Sequence, residues 1–177
     1  MTQQTRITLR NFKHAAFASE ETQCFEATVL FDGAPICRAQ NDGHGGGTYW
    51  HPVKGAEAKL AEAEAFAKSL PDVVTEFKEP DGRFFSYPSN LEHVIDQLVG
   101  AILNERYARR LFANAMKRPV FIRGGQLYSI KLQRGVKLGP DVWARVKAAN
   151  PGVAWINEMP PEEGFKAWAA LAFVPEE

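Results

Sequence analysis

The residues with the clearest chemical possibilities cluster in Asn41-Asp42-Gly43-His44-Gly45-Gly46-Gly47. His44 to Gly47 spells the HGGG of esterase oxyanion holes, where backbone amides stabilise developing negative charge. That chemistry also needs a G-x-S-x-G nucleophile turn, and none of Ser19, Ser69, Ser86, Ser89 or Ser129 sits in one. The same glycines could form an anion-binding nest, but neither G-x-x-x-x-G-K-[ST] nor G-x-G-x-x-G is completed. A sharply turned loop, with Asn41 and Asp42 making local hydrogen bonds, is the plainer expectation. Tyr49, Trp50 and His51 follow at once, and an exposed aromatic pair beside such a loop would anchor a partner.

General acid–base work would need His14, Glu20, Glu21, Asp42, His44 and His51 to converge at one end of a sheet. Glu20-Glu21-Thr22 reads equally as a solvated turn. The four candidate metal ligands Cys24, Cys37, His44 and His51 are separated by 12, 6 and 6 residues, whereas zinc sites pair ligands two to five residues apart. No metal and no cofactor is therefore expected. The two cysteines read as small hydrophobes in facing strands, left as free thiols.

The strongest partner signal is basic. Residues 106–147 hold 11 Lys/Arg against the single acid Asp141, a net of +10, whereas residues 1–105 carry −6 and residues 148–177 carry −4. A whole-chain charge of zero, with a pI near 6.9, hides this segregation. Arg106, Arg109 and Arg110 share one helix, and Arg123, Lys131 and Arg134 lie on or just beyond a hairpin that also presents Tyr128. Arginine beside an aromatic on a β ribbon suits phosphate contact and base stacking, and the same groups suit an acidic protein face. No complete RNA-recognition, OB, KH or helix-turn-helix signature accompanies them.

Those residues need elements to place them. Phe25, Ala27, Val29 and Phe31 alternate with Glu26, Thr28 and Leu30 as in a half-buried strand, and Asp32-Gly33 supplies a tight turn into a returning strand at Ile36 to Ala39. An earlier strand spans Ile7 to Phe12. Ala56 to Leu70 carries a helical stripe, stopped by Pro71. Val73–Lys78 and Arg83–Tyr87 flank an Asp81-Gly82 turn. Ser89 with Glu92 matches a capping box opening a long helix from Leu91 to about Lys117. Gly124-Gly125 then turns a hairpin, Pro140 starts a helix to Ala149, Val153 to Ile156 forms a strand, and Pro161 opens the last helix. The expected fold is α+β: an antiparallel N-terminal sheet with helices on one face, a long central helix, then a hairpin, helix, strand and helix. Residues 1–88 and 89–177 are the expected halves. No membrane span or leader is legible, which favours a cytoplasmic protein.

Asn11-Phe12-Lys13-His14-Ala15-Ala16-Phe17-Ala18-Ser19-Glu20-Glu21-Thr22, then Cys24-Phe25, Asn41-Asp42-Gly43 and His51-Pro52, resembles the N-terminal region of small proteins encoded by bacteriophages and prophages. The resemblance implies a phage origin and transfers no catalytic residues. The expectation is a non-enzymatic protein that binds a host or defence protein or nucleoprotein complex, of the anti-CRISPR kind, through Arg106, Arg109, Arg110, Arg123, Tyr128, Lys131 and Arg134, with Tyr49 and Trp50 as a second contact. A DNA- or RNA-binding accessory protein of phage replication is the alternative. A hydrolase or transferase using the His/Glu groups near the glycine loop is a third.

Overall fold

The computed structural model describes residues 4–173. The chain divides into two compact units, with the boundary between Ile102 and Leu103. The first unit holds a four-stranded antiparallel sheet, β1 (Ile7–His14), β2 (Phe25–Phe31), β3 (Ala34–Asn41) and β4 (Tyr49–Pro52), in the order β1-β2-β3-β4. Its inner face buries Ile7, Phe25, Ala27, Val29, Phe31 and Ala39. Asp32 and Gly33, at φ 50° and 77°, make the tight turn between β2 and β3.

Helix α1 (Glu57–Lys68) packs on β2 and β3, burying Leu60, Ala63 and Ala67. Alanine on the buried stripe lets the helix lie close, and the Phe66 ring meets Phe31 at 5.7 Å. Arg6 covers both rings, at 4.4 and 4.8 Å, while its guanidinium bonds Asp32 at 2.9 and 2.6 Å.

Two irregularities shape the sheet. Between Arg10 and Lys13 the register of β1 on β2 shifts around Asn11, whose φ of 55° is the left-handed conformation that asparagine tolerates. The shift puts Arg10 opposite Thr28 and Lys13 opposite Glu26, so two cations three residues apart face the same way. Between Val29 and Leu30 a second shift leaves both Ile36 and Cys37 buried in succession.

Beyond α1, β5 (Val73–Lys78) and β6 (Phe84–Tyr87) form a two-stranded sheet that pairs with no other strand among the described residues, and Phe77, Phe84 and Phe85 remain exposed. Helix α2 (Leu91–Ala115) follows, burying Leu91, Val94, Ile95 and Val99 in the first unit. The expected capping box does not form. Asn90 caps the helix instead, its Oδ1 accepting the His93 amide at 2.8 Å, so the helix starts one residue later than a Ser89 cap requires, and the Glu92 carboxylate accepts the Thr48 amide at 2.9 Å. The unit boundary also falls inside α2 rather than at the proline-rich stretch before it, because the buried stripe of α2 belongs first to one core and then to another.

In the second unit, β7 (Val120–Arg123) and β8 (Gln126–Ser129) form the hairpin expected at Gly124-Gly125, which adopt φ 57° and 77°. β9 (Ala154–Trp155) pairs with the other edge of β7, giving the order β8-β7-β9. Helix α3 (Pro140–Ala149) and helix α4 (Pro161–Ala172) complete the unit. Val120, Ile156 and Trp168 centre its core, with Leu111 and Phe112 of α2 and Phe165 of α4 against them. The amides of Met116, Lys117 and Arg118 close the last turn of α2, donating to the carbonyls of Phe112, Asn114 and Ala115. Asn157 then holds the turn that leads to β7, giving its Nδ2 to the carbonyls of Met116 and Arg118 at 3.2 and 2.9 Å while its Oδ1 accepts the Val120 amide at 2.7 Å.

Candidate functional site

The chain up to Ile102 carries 9 Lys/Arg against 14 Asp/Glu, and the chain from Leu103 carries 12 against 7. The units are thus −5 and +5. Within the second unit the cations divide by what they touch. Arg109 donates from Nε to Glu105 at 2.9 Å and from both terminal nitrogens to Glu162 at 2.9 and 3.0 Å, and it lies 4.4 Å above the Phe165 ring. The fork of hydrogen bonds from Arg109 holds the Glu162 carboxyl below the usual carboxylate range. Lys147 and the Trp143 indole similarly hold Glu158, at 2.6 and 3.1 Å.

The other expected contact residues lie differently. Arg110 sits over Tyr107 at 5.3 Å and Arg123 over Phe121 at 5.3 Å, both exposed. Arg106, Lys131 and Arg134 are exposed as well. Arg110, Arg123, Lys131 and Arg134 have no ion pair among the described residues. Tyr128 stacks on Phe121 at 5.4 Å with its ring 42% exposed, so the hairpin does present an aromatic beside an arginine.

Tyr49 and Trp50 do not form one exposed pair. They lie in β4, where successive side chains point to opposite faces, so Tyr49 is exposed on the outer face and Trp50 is half-buried on the inner one. The sequence hides β4 because it lacks an alternating apolar pattern: Tyr49 and His51 face solvent beside Gln40 and Arg38.

The glycine loop is a structural junction. The buried side chain of Asn41 accepts from the Thr22 hydroxyl at 2.8 Å and the Gly43 amide at 2.9 Å, and donates to the Gly46 carbonyl at 2.9 Å. The Gly43 carbonyl accepts the amides of Glu20, Glu21 and Thr22 at 3.0, 3.0 and 3.3 Å. Asp42 takes the His44 amide and Thr22 the Gly45 amide. An oxyanion or phosphate would have to displace these partners and enter beside Glu21, Glu92 and Asp96. Neither anion reading of the loop fits that arrangement. Asp96 accepts the Thr48 hydroxyl at 2.6 Å, and burial pushes its carboxyl up from the ordinary aspartate range.

The His/Glu candidates occupy three settings. His44 Nδ1 meets Glu20 at 3.2 Å on the loop surface. His14 Nε2 contacts Gln23 at 2.9 Å and the Ser19 hydroxyl at 3.3 Å. That hydroxyl donates to the Ala15 carbonyl and accepts the Cys24 amide, so it is not held as a nucleophile for His14. A cleft of about 370 Å³ opens there, lined in part by His14, Cys24, Asp42 and Tyr49. His51 lies on the outer sheet face.

Cys24 and Cys37 are free, and burial pushes the Cys37 thiol up to about 12. Among the described residues no three His, Cys, Asp or Glu side chains are grouped to hold a metal ion, and no helix is long and apolar enough to cross a membrane. Three cations that the acidic balance of the first unit conceals, Arg10, Lys13 and Arg38, stand together on the outer sheet face. No protein-family model, curated protein or solved structure matches the chain.

Proposed function

We propose that this chain is a non-enzymatic phage or prophage protein that binds a host nucleic-acid-handling or defence complex, of the anti-CRISPR kind, through the basic surface of its second unit. The observation that carries the reading is the sorting of charge there. Glu105, Glu162 and Glu158 are taken up by Arg109 and Lys147, while Arg110, Arg123, Lys131 and Arg134 have no ion pair among the described residues. Cations without an ion pair steer an anionic partner towards the unit that carries them. Arg109 is exposed as well, but its donors are spent on Glu105 and Glu162.

The test is affinity capture from a bacterial host lysate with wild-type protein and with an Arg110→Glu, Arg123→Glu, Arg134→Glu variant. The wild type should retain a defined complex that the variant loses. Equal capture by both ends the reading. Direct nucleic-acid binding is the second reading, favoured by Tyr128 stacked on Phe121 beside Arg123 on a two-stranded ribbon. It requires the same variant to lose salt-dependent binding to purified DNA or RNA.

A further inference from the structure

The outer face of the four-stranded sheet carries two transverse rows of side chains. Cross-strand partners share a face, so the register Arg10↔Thr28, Thr28↔Arg38, Arg38↔His51 defines one row across all four strands. The register Lys13↔Glu26, Glu26↔Gln40, Gln40↔Tyr49 defines the next. Each row spans about 14 Å across three strand spacings, and the rows lie about 7 Å apart along the strands. A groove of about 470 Å³ lies over their middle, lined by Lys13, Glu26, Thr28, Arg38, Gln40 and His51, with Arg10 and Tyr49 at the ends of the rows and outside its lining.

The chemistry of the two rows is distinct from that of the unit carrying them. Arg10, Lys13 and Arg38 stand against the single acid Glu26, a local surplus of two positive charges on a unit of net −5. Glu26 is paired with Lys13, and that contact, aided by Arg38, holds its carboxyl below the usual range. Arg10 and Arg38 have no ion pair among the described residues. The Tyr49 ring is 45% exposed, edge-on to His51 at 6.1 Å, and its hydroxyl accepts from Gln40 Nε2 at 2.7 Å, which fixes where the ring stands.

We propose that this sheet face binds a single-stranded nucleic acid, with Arg10 and Arg38 on its phosphates and Tyr49 and His51 against its bases. Cations spaced along a groove track a phosphodiester backbone, and unstacked bases find planar partners in exposed aromatic rings and guanidinium groups. A duplex keeps its bases inside its grooves and would meet this face with phosphates alone. The surface belongs to the first unit, so the proposal is independent of the basic surface of the second.

The experiment is fluorescence anisotropy of full-length protein with labelled oligo(dT) and oligo(U) of about 12 nucleotides, and with a duplex of equal length. The wild type should bind the single strands more tightly than the duplex, and the DNA and RNA arms distinguish the two sources. Arg10→Glu with Arg38→Glu should weaken binding by about tenfold or more and reduce the salt slope by about 0.7 for each phosphate no longer neutralised. Tyr49→Ala should weaken it by about fivefold or more, and Tyr49→Phe, which keeps the ring and gives up the Gln40 bond that places it, should weaken it by less. Arg38→Gln is the milder variant, read alongside circular dichroism to show that the sheet is intact. The Arg110→Glu, Arg123→Glu variant of the second unit should leave the sheet-dependent component in place. Single-strand binding unchanged in the sheet variants, a preference for duplex, or binding of poly-glutamate without oligonucleotide would each overturn the proposal. None of these outcomes decides whether the second unit binds a host complex.

Discussion

The guanidinium of Arg109 meets the carboxylate of Glu162 through two parallel hydrogen bonds of 2.9 and 3.0 Å, tying α2 to the first turn of α4. Glu105, one helical turn before Arg109, takes the remaining Nε–H. Removing Arg109 as Arg109→Ala should therefore lower the thermal midpoint of the second unit. Arg109→Lys should not restore it, because an ammonium cannot reproduce the planar fork. The exchange Arg109→Glu with Glu162→Arg should recover part of the loss and not all, since Glu105 would then face a second carboxylate. A wild-type melting curve for Arg109→Ala would return Arg109 to the set of cations available for a partner.

Gly43 tests whether the glycine loop is a junction. At φ +90°, a Cβ there would stand 2.0 Å from the Ala18 carbonyl oxygen and 3.0 Å from Cys24 Cβ. Backbone atoms cannot yield as a flexible side chain does, so Gly43→Ala should destabilise the first unit by about 2 kcal/mol or more. Gly46, which has open space around its Cβ position, should accept alanine with a change within about 0.5 kcal/mol. Urea unfolding of the two variants checks this, and equal midpoints would show the loop to be loosely held.

Asp96 gives the first unit a pH dependence of stated sign. Burial raises its carboxyl in the folded protein, so the folded state binds the proton more tightly than the unfolded chain. Its contribution to stability is therefore greatest when protonated, and declines as pH rises through its raised folded value. Asp96→Asn keeps an oxygen for the Thr48 hydroxyl and removes the titration. Stability profiles from about pH 3 to 7 should thus converge at the acid end, with the variant gaining on the wild type as pH rises. Parallel profiles would remove Asp96 from the account.

Most elements of the fold are legible in the chain because their signals are local. Alternation marks β2, turn residues mark Asp32-Gly33 and Gly124-Gly125, and proline marks the starts of α3 and α4. β4 is not legible, because half of it faces solvent and its apolar residues do not alternate. The Glu92 bond to Thr48 and the Asn157 bonds to the turn after α2 join residues 44 positions apart in the first case and 39 and 41 in the second, which no window shows. The basic segment is visible as composition, but the withdrawal of Arg109 from it is set by the return of α4. The two rows on the outer sheet face are hidden by a single bulge. Strict alternation would send Arg10 and Lys13 to opposite faces, and the left-handed turn at Asn11 brings them to one.

The opposite charges of the two units also govern how copies of the molecule treat one another. Near pH 6.9 no net repulsion keeps them apart, and the +5 unit of one copy is a ready counter-ion for the −5 unit of another. That attraction is screened over about 10 Å at 0.1 M salt. Dilute buffer should accordingly favour clustering of its own copies and added electrolyte should disperse them, which light scattering across a salt series checks.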